Sequence, residues 1–247
     1  MNSTTTIGTH YLFRGLQLAM RPGLRRFVFI PLTINVAIFT LLIYGSINQF
    51  GEWIDWAMDQ IPGWLDFLRY LLWPLMVGLL LVVVMYSFSI VANLISSPFN
   101  GLLCEKAEEL ITGQPVTGFE TITQAIASFP RSLLREVRKL AYYLPRALLV
   151  LIFSFIPLVN TAAPVLWFLL GAWMMAIQYC DYPMDTHRKS FAFMKRSLAN
   201  TRWPSLGFGA TVMIATMIPV VNFFVMPAAV CGATLFWVER LRDETSE

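Results

Sequence analysis

The chain has 247 residues, 57% of them hydrophobic and 13% charged. Soluble domains carry about 25% charged residues, so this composition, with a mean hydropathy of +0.61, excludes an ordinary water-soluble globule. A net charge of +3 points to no nucleic-acid partner, and the placement of charge carries more than its sum.

The start of the chain, residues 1–6, is polar and lacks a short apolar core with a small-residue cleavage site, so no cleaved signal peptide is expected. A short helix is expected around residues 7–20, ended by Pro22-Gly23, with the next helix opening near Leu24. Met20-Arg21-Pro22-Gly23-Leu24-Arg25-Arg26-Phe27 is the sharpest local feature. The first N–H groups of a helix lack intrahelical partners and form the positive end of its dipole. With two guanidinium groups beside them they make an oxyanion site. Arginines before a first span are also ordinary topology anchors, and the residues alone leave both readings open.

Four stretches hold no Asp, Glu, Lys or Arg: 27–51, 70–104, 147–180 and 205–238. A helix needs about 20 apolar residues to cross the hydrocarbon core. The first gives a span of natural length, about 27–50, and the second a long, tilted one, about 70–95. Trp53, Trp56, Trp64, Tyr70 and Trp73 lie between them, as an interfacial aromatic belt would.

Residues 96–146 are too long for a bare loop and are expected to be a cytoplasmic helical segment. Residues 99–112 read as a polar helix, with Glu105 and Glu109 on one face, which an acid pair could use but which is expected to be solvated. Ile122, Ile126, Phe129, Leu133, Val137, Leu140 and Leu144 form one apolar helical stripe, with Arg131, Arg135, Arg138 and Lys139 off it. The pattern fits a basic amphipathic helix on the membrane surface or a helix packed under a bundle. Either would keep its basic face near headgroups or an anion path. Pro130 would kink it or begin a second piece.

The last two stretches are each broken in the middle. One reads Ile156-Pro157-Leu158-Val159-Asn160 and then Pro164; the other reads Ile218-Pro219-Val220-Val221-Asn222 and then Pro227. Proline interrupts helices, and each proline pair with its Asn is expected to make a turn. The result would be two similar helical hairpins, 147–180 and 205–238. Their arms of roughly 10–16 residues would reach about 15–24 Å, less than the core thickness. At least one arm of each would enter and return without crossing.

Charge placement agrees. If both broken stretches return to the side they left, every Lys and Arg except Arg69 faces one side, which the positive-inside rule makes the cytoplasm. Both termini are then cytoplasmic. The expected fold is all-α and integral to the membrane, a single membrane domain over residues 1–247.

Several chemistries are missing. The three cysteines, Cys104, Cys180 and Cys231, show no metal or disulfide spacing. There is no Walker sequence, dinucleotide fingerprint or zinc-protease motif. His187 sits in a charged segment and reads as a solvated loop histidine. The charge-free spans hold no Asp, Glu, His or Lys, so neither an intramembrane hydrolase nor a buried proton relay is expected. No enzyme, metal or cofactor follows. Any proton coupling would fall to groups at the span ends, such as Glu105, Glu109 or Asp181.

Two segments resemble the signature of the CysZ sulfate-transport family. They are Gly23-Leu24-Arg25-Arg26-Phe27-Val28-Phe29-Ile30-Pro31-Leu32-Thr33-Ile34-Asn35 and Asn93-Leu94-Ile95-Ser96-Ser97-Pro98-Phe99-Asn100-Gly101-Leu102-Leu103-Cys104-Glu105. The resemblance extends over nearly the whole chain. It implies a bacterial inner-membrane protein that admits sulfate for cysteine synthesis, with sulfite and related oxyanions as further candidates. It also implies two long membrane helices with partly penetrating hairpins, and homo-oligomers in the lipid bilayer. Gly23, Leu24, Arg25 and Arg26 would bind sulfate at the cytoplasmic end. Asn93, Asn100, Glu105 and Glu109 would lie near the translocation path. Channel and proton-coupled permease both remain open. A membrane-bound sulfate sensor, or a scaffold for another transporter, is the alternative.

Overall fold

The computed structural model describes residues 8–60, 66–116, 129–157 and 159–242. Every regular element among them is helical: α1 (His10–Ala19), α2 (Arg25–Asp59), α3 (Asp66–Thr112), α4 (Phe129–Ser154), α5 (Ala163–Thr186), α6 (Phe191–Asn200), α7 (Arg202–Thr216) and α8 (Pro219–Phe236). A 3₁₀ turn, Asn160–Ala162, precedes α5, and a π-helical turn, Trp237–Leu241, closes α8. Three segments are long and apolar enough to cross a membrane: Arg25–Leu42, Asn160–Thr186 and Val221–Leu241. The chain divides into two compact units, Phe29–Ser97 and, together, Met1–Val28 with Pro98–Glu247.

The smaller unit carries most of α2 and the first part of α3. Its apolar side chains point outward: Val36, Leu41, Leu42, Leu71, Leu75 and Leu79 are all exposed. Such helices are matched to a lipid solvent, because water would penalise that surface at about 25 cal/mol per Å². Inside, the Asn35 amide nitrogen lies 3.5 Å from Ser96 Oγ, while its carbonyl oxygen is buried without a partner.

The larger unit has its core on α8. Val225, Ala228, Ala229, Val230, Cys231, Ala233 and Phe236 are buried there with Tyr11 and Leu18 of α1 and Phe208 and Val212 of α7. Small residues permit this closeness. A methyl group at Gly15 would overlap the Ala228 carbonyl oxygen, and one at Gly209 would overlap that of Ala172. Close helix contact through small residues is the usual solution where lipid supplies no hydrophobic drive between helices.

The helices stop and start where the two Ile-Pro sequences stand. α4 ends at Ser154 and α5 begins at Ala163 with Pro164 in its first turn. α7 ends at Thr216 and α8 opens on Pro219, preceded by Ile218 in extended conformation (φ −96°, ψ 109°). Proline fits the first helical turn, where its missing N–H has no partner to lose, and it drives the preceding residue to β geometry.

Three local expectations are corrected. Pro227 belongs to no turn; it lies inside α8, where buried packing on both sides supports the interrupted helix. The helices that carry the first broken stretch extend beyond it: α4 has 26 residues and starts at Phe129, and α5 has 24 and runs to Thr186. They run on because the charged residues beyond the apolar stretch neutralise one another, as described below. α3 does not end near residue 95 but continues to Thr112, where Gly113, at φ +69°, closes it by donating from its N–H to the Glu109 carbonyl at 2.9 Å.

The amphipathic helix differs as well; its stripe residues Ile122 and Ile126 lie outside the described residues. α4 opens at Phe129 beside Pro130. Its stripe residues Leu133, Val137, Leu140 and Leu144 face outward, while Arg135 and Lys139 are buried. The basic face is therefore not wholly at the headgroups or along an anion path. A helix that hides its cations and shows its leucines is the inverse of the pattern in water.

Candidate oxyanion site

The Gly23–Arg26 turn is built by the short distance between two helices. α1 ends at Ala19, and Arg21 donates back to the Leu18 carbonyl at 3.0 Å. The N–H groups of Leu24 and Arg25 both donate to the Arg21 carbonyl, at 3.1 and 3.2 Å, and that of Phe27 to the Leu24 carbonyl at 2.9 Å. Two donors expected to be open at this helix start are thus turned inward, because the connection is short enough to close on itself. Gly23 reverses the chain at φ +98°, a conformation that costs an L-residue energy. A Cβ there would meet nothing within 4 Å, so its role is conformational rather than steric.

Leu24 anchors the turn at 1% exposure, with Val28 also buried. Arg25 and Arg26 are exposed, and neither pairs with a carboxylate among the described residues. The Arg26 guanidinium carbon lies 4.9 Å from the centre of the Phe27 ring, leaving the fork's edge open. Two unpaired guanidiniums next to a rigid turn can take a tetrahedral oxyanion by bidentate hydrogen bonds.

The second group of expected residues lies on α3. Asn93 falls within that helix, with its side chain outside the described residues. Asn100 is buried, with its amide nitrogen 3.1 Å from Met226 Sδ. Glu105 is buried as well, at 3% exposure, which corrects the expectation of a solvated Glu105–Glu109 face. Leu103, Cys104 and Ala107 turn the same side of α3 into the core and take Glu105 with them. Glu109 remains at the surface, bound to Lys106 Nζ at 2.7 Å.

His187 is likewise not a solvated loop residue. It caps α5, with Nε2 2.9 Å from both carboxylate oxygens of Glu108, itself 1% exposed. Its ring lies against Trp237 at 5.3 Å. Glu108 was not among the expected site residues, since a single acid in a polar helix gives no sign of burial. The π-helical turn is tied to α1 by Arg14, whose Nη1 donates to Glu239 at 2.9 Å. That bond, outweighing partial burial, raises the Arg14 guanidinium above its usual range.

A buried ionic cluster joins α4 to α5. Arg135 Nε donates to Asp181 Oδ1 at 3.0 Å, and Nη1 donates to the Lys189 carbonyl at 2.9 Å. Its Nη1 also reaches Asp185 at 3.2 Å. Lys139 Nζ reaches Glu136 at 2.6 Å, Asp181 Oδ2 at 3.1 Å and Gln178 at 3.1 Å. Burial pulls the Arg135 guanidinium down, and the bond and charge of Asp181 more than reverse it, leaving the group above its usual value. The signal was present in the sequence: basic residues four apart on one helix, acidic residues four apart on the next. Asp181 does not stand alone at a span end; its charge is spent on α4.

The chain matches the family described as sulfate transporter CysZ/etoposide-induced protein 2.4 over residues 11–227. It is 51% identical over 231 residues to the sulfate transporter CysZ of Pseudomonas aeruginosa (strain LESB58), covering 94% of each chain. With that of Pectobacterium atrosepticum it shares 47% identity over 242 residues, 97% of this chain and 87% of the relative. With that of Salmonella typhimurium it shares 46% over 245 residues, 97% and 96%. The chain belongs to the sulfate transporter CysZ/etoposide-induced protein 2.4 family.

Proposed function

We propose that the protein transports sulfate across the inner membrane of a bacterium, supplying sulfate assimilation and cysteine biosynthesis. The near full-length identity to sulfate transporters supports the substrate. One observation supports the site: among the described residues Arg25 and Arg26 meet no carboxylate, where Arg135 and Lys139 are buried and paired. Gly23, Leu24, Arg25 and Arg26 hold sulfate at the cytoplasmic mouth. Leu24 fixes the turn and Gly23 sets its direction, so the two guanidiniums are held ready for a dianion. Sulfite and related oxyanions share that geometry.

In this reading the chain is one membrane domain with both termini cytoplasmic. α2 and α3 cross, and the regions 147–180 and 205–238 enter partway and return. Between Arg146 and Ser154, α4 adds only about 12 Å of apolar helix, well short of a core about 30 Å thick. A strongly hydrated dianion needs a polar path, and the spans of one protomer hold no cation. The path therefore runs at a homo-oligomer interface lined by Asn and Ser/Thr, with Asn93, Asn100, Glu105 and Glu109 near it.

Radiolabelled sulfate flux into liposomes holding the purified protein tests this. Flux from the protein alone, reduced in Arg25→Ala/Arg26→Ala, is expected. Undiminished flux in that variant would remove the site, and sulfate binding without flux would favour a sensor.

A further inference from the structure

Arg146 and Lys195 differ from the other cations of α4 and its neighbours. Arg146 Cζ lies 3.5 Å from the centre of the Tyr142 ring, and Lys195 Nζ lies 5.0 Å from the same centre. Lys195 is also 5.2 Å from the Phe191 ring, which meets Tyr142 edge-on at 5.9 Å. Tyr142 is fixed from behind, where Trp173 Nε1 donates to its hydroxyl at 3.1 Å. Arg146 Nη1 donates to the Tyr142 carbonyl at 2.6 Å. Neither cation meets a carboxylate among the described residues. Two like charges gathered around one ring repel, and an anion bound beside them would relieve that repulsion.

The surface beside them is apolar. Leu149 and Phe153, three and seven residues beyond Arg146 on the same side of α4, are 53% and 42% exposed. We propose that Arg146, Lys195 and Tyr142 form a headgroup site for an anionic phospholipid, whose acyl chain lies along Leu149 and Phe153. Charge complementarity selects the phosphate, and the adjoining apolar side chains select a lipid over a free ion. The depth agrees: the roughly 12 Å of helix from Arg146 to Ser154 matches half of a hydrocarbon core about 30 Å thick. A turn near the bilayer midplane would set Arg146 and the Tyr142–Trp173 pair at headgroup level, where aromatic residues gather. That depth argument alone rests on the partly penetrating hairpin.

Native mass spectrometry of the full-length protein in detergent tests the site, with phosphatidylglycerol titrated against phosphatidylcholine. Phosphatidylglycerol should be retained at least tenfold better. Arg146→Gln and Lys195→Gln should each weaken it several-fold, and together about tenfold, while Arg146→Lys keeps most of the affinity. Both residues reach the surface, so the single variants stand in if the double variant does not fold. No preference between the lipids, or unchanged affinity in the glutamine variants, overturns the proposal. So does displacement of phosphatidylglycerol by millimolar inorganic phosphate, which would mark a free-anion site. Hairpin depth plays no part in detergent, so a fully crossing hairpin would show separately, as periplasmic labelling of a cysteine at Asn160.

Discussion

The Gly23–Arg26 turn and the inner face of α4 each present two basic residues close in sequence, yet the fold treats them oppositely. Arg135 and Lys139 are removed from solvent and answered by Asp181 and Asp185. Arg25 and Arg26 are held at the surface with no carboxylate beside them among the described residues. Burial forces the difference. A buried charge must be paired within the protein, whereas an exposed one is kept by water until a ligand replaces it. The paired cations hold helices together, and the exposed ones are open to a ligand.

The comparison breaks most visibly at Asp181. Removing one partner from a buried pair costs about 3–5 kcal/mol, so Asp181→Ala should lower the unfolding midpoint in detergent sharply. Replacing the cluster's charges together, for example Arg135→Met/Lys139→Leu/Asp181→Leu, should recover much of that loss. An unaltered midpoint in Asp181→Ala would mean that the cluster is hydrated and contributes little. Next in size is Gly209→Leu, a control for packing without charge. It forces side-chain atoms toward the Ala172 carbonyl and should cost at least the 1–3 kcal/mol of core overpacking.

The open pair should respond in the other coordinate. Arg25→Ala/Arg26→Ala should reduce sulfate affinity or flux at least tenfold, equivalent to about 1.4 kcal/mol, while changing stability by less than about 0.5 kcal/mol. A stability loss like that of Asp181→Ala would erase the distinction. Gly23→Ala should cost about 1 kcal/mol or more from its φ of +98° and weaken sulfate binding without removing a charge. The smallest effect is expected at Arg14→Ala. Its bond to Glu239 lies at the surface, with the side chain 43% exposed, and exposed pairs contribute roughly 0–1 kcal/mol.

Much of this molecule was legible in one dimension. The apolar stretches required helices in lipid, the Ile-Pro sequences marked where helices stop, and Pro22-Gly23 marked the turn that carries Arg25 and Arg26. These are local effects: the run of apolar residues, the missing proline donor and the freedom of glycine act within a few residues. Which way a helix faces was a different matter. The leucine stripe of α4 was visible, but not that it faces outward while Arg135 and Lys139 turn inward. Glu105 and His187 looked solvated because charged residues surround them in sequence; the side of α3 that carries Leu103, Cys104 and Ala107 into the core buries Glu105, and His187 is held by buried Glu108. The sequence by itself determined helices, their breaks and an arginine-bearing turn. Only the tertiary structure decided which charges are paired and which stay open, because pairing depends on neighbours brought in from dozens of residues away.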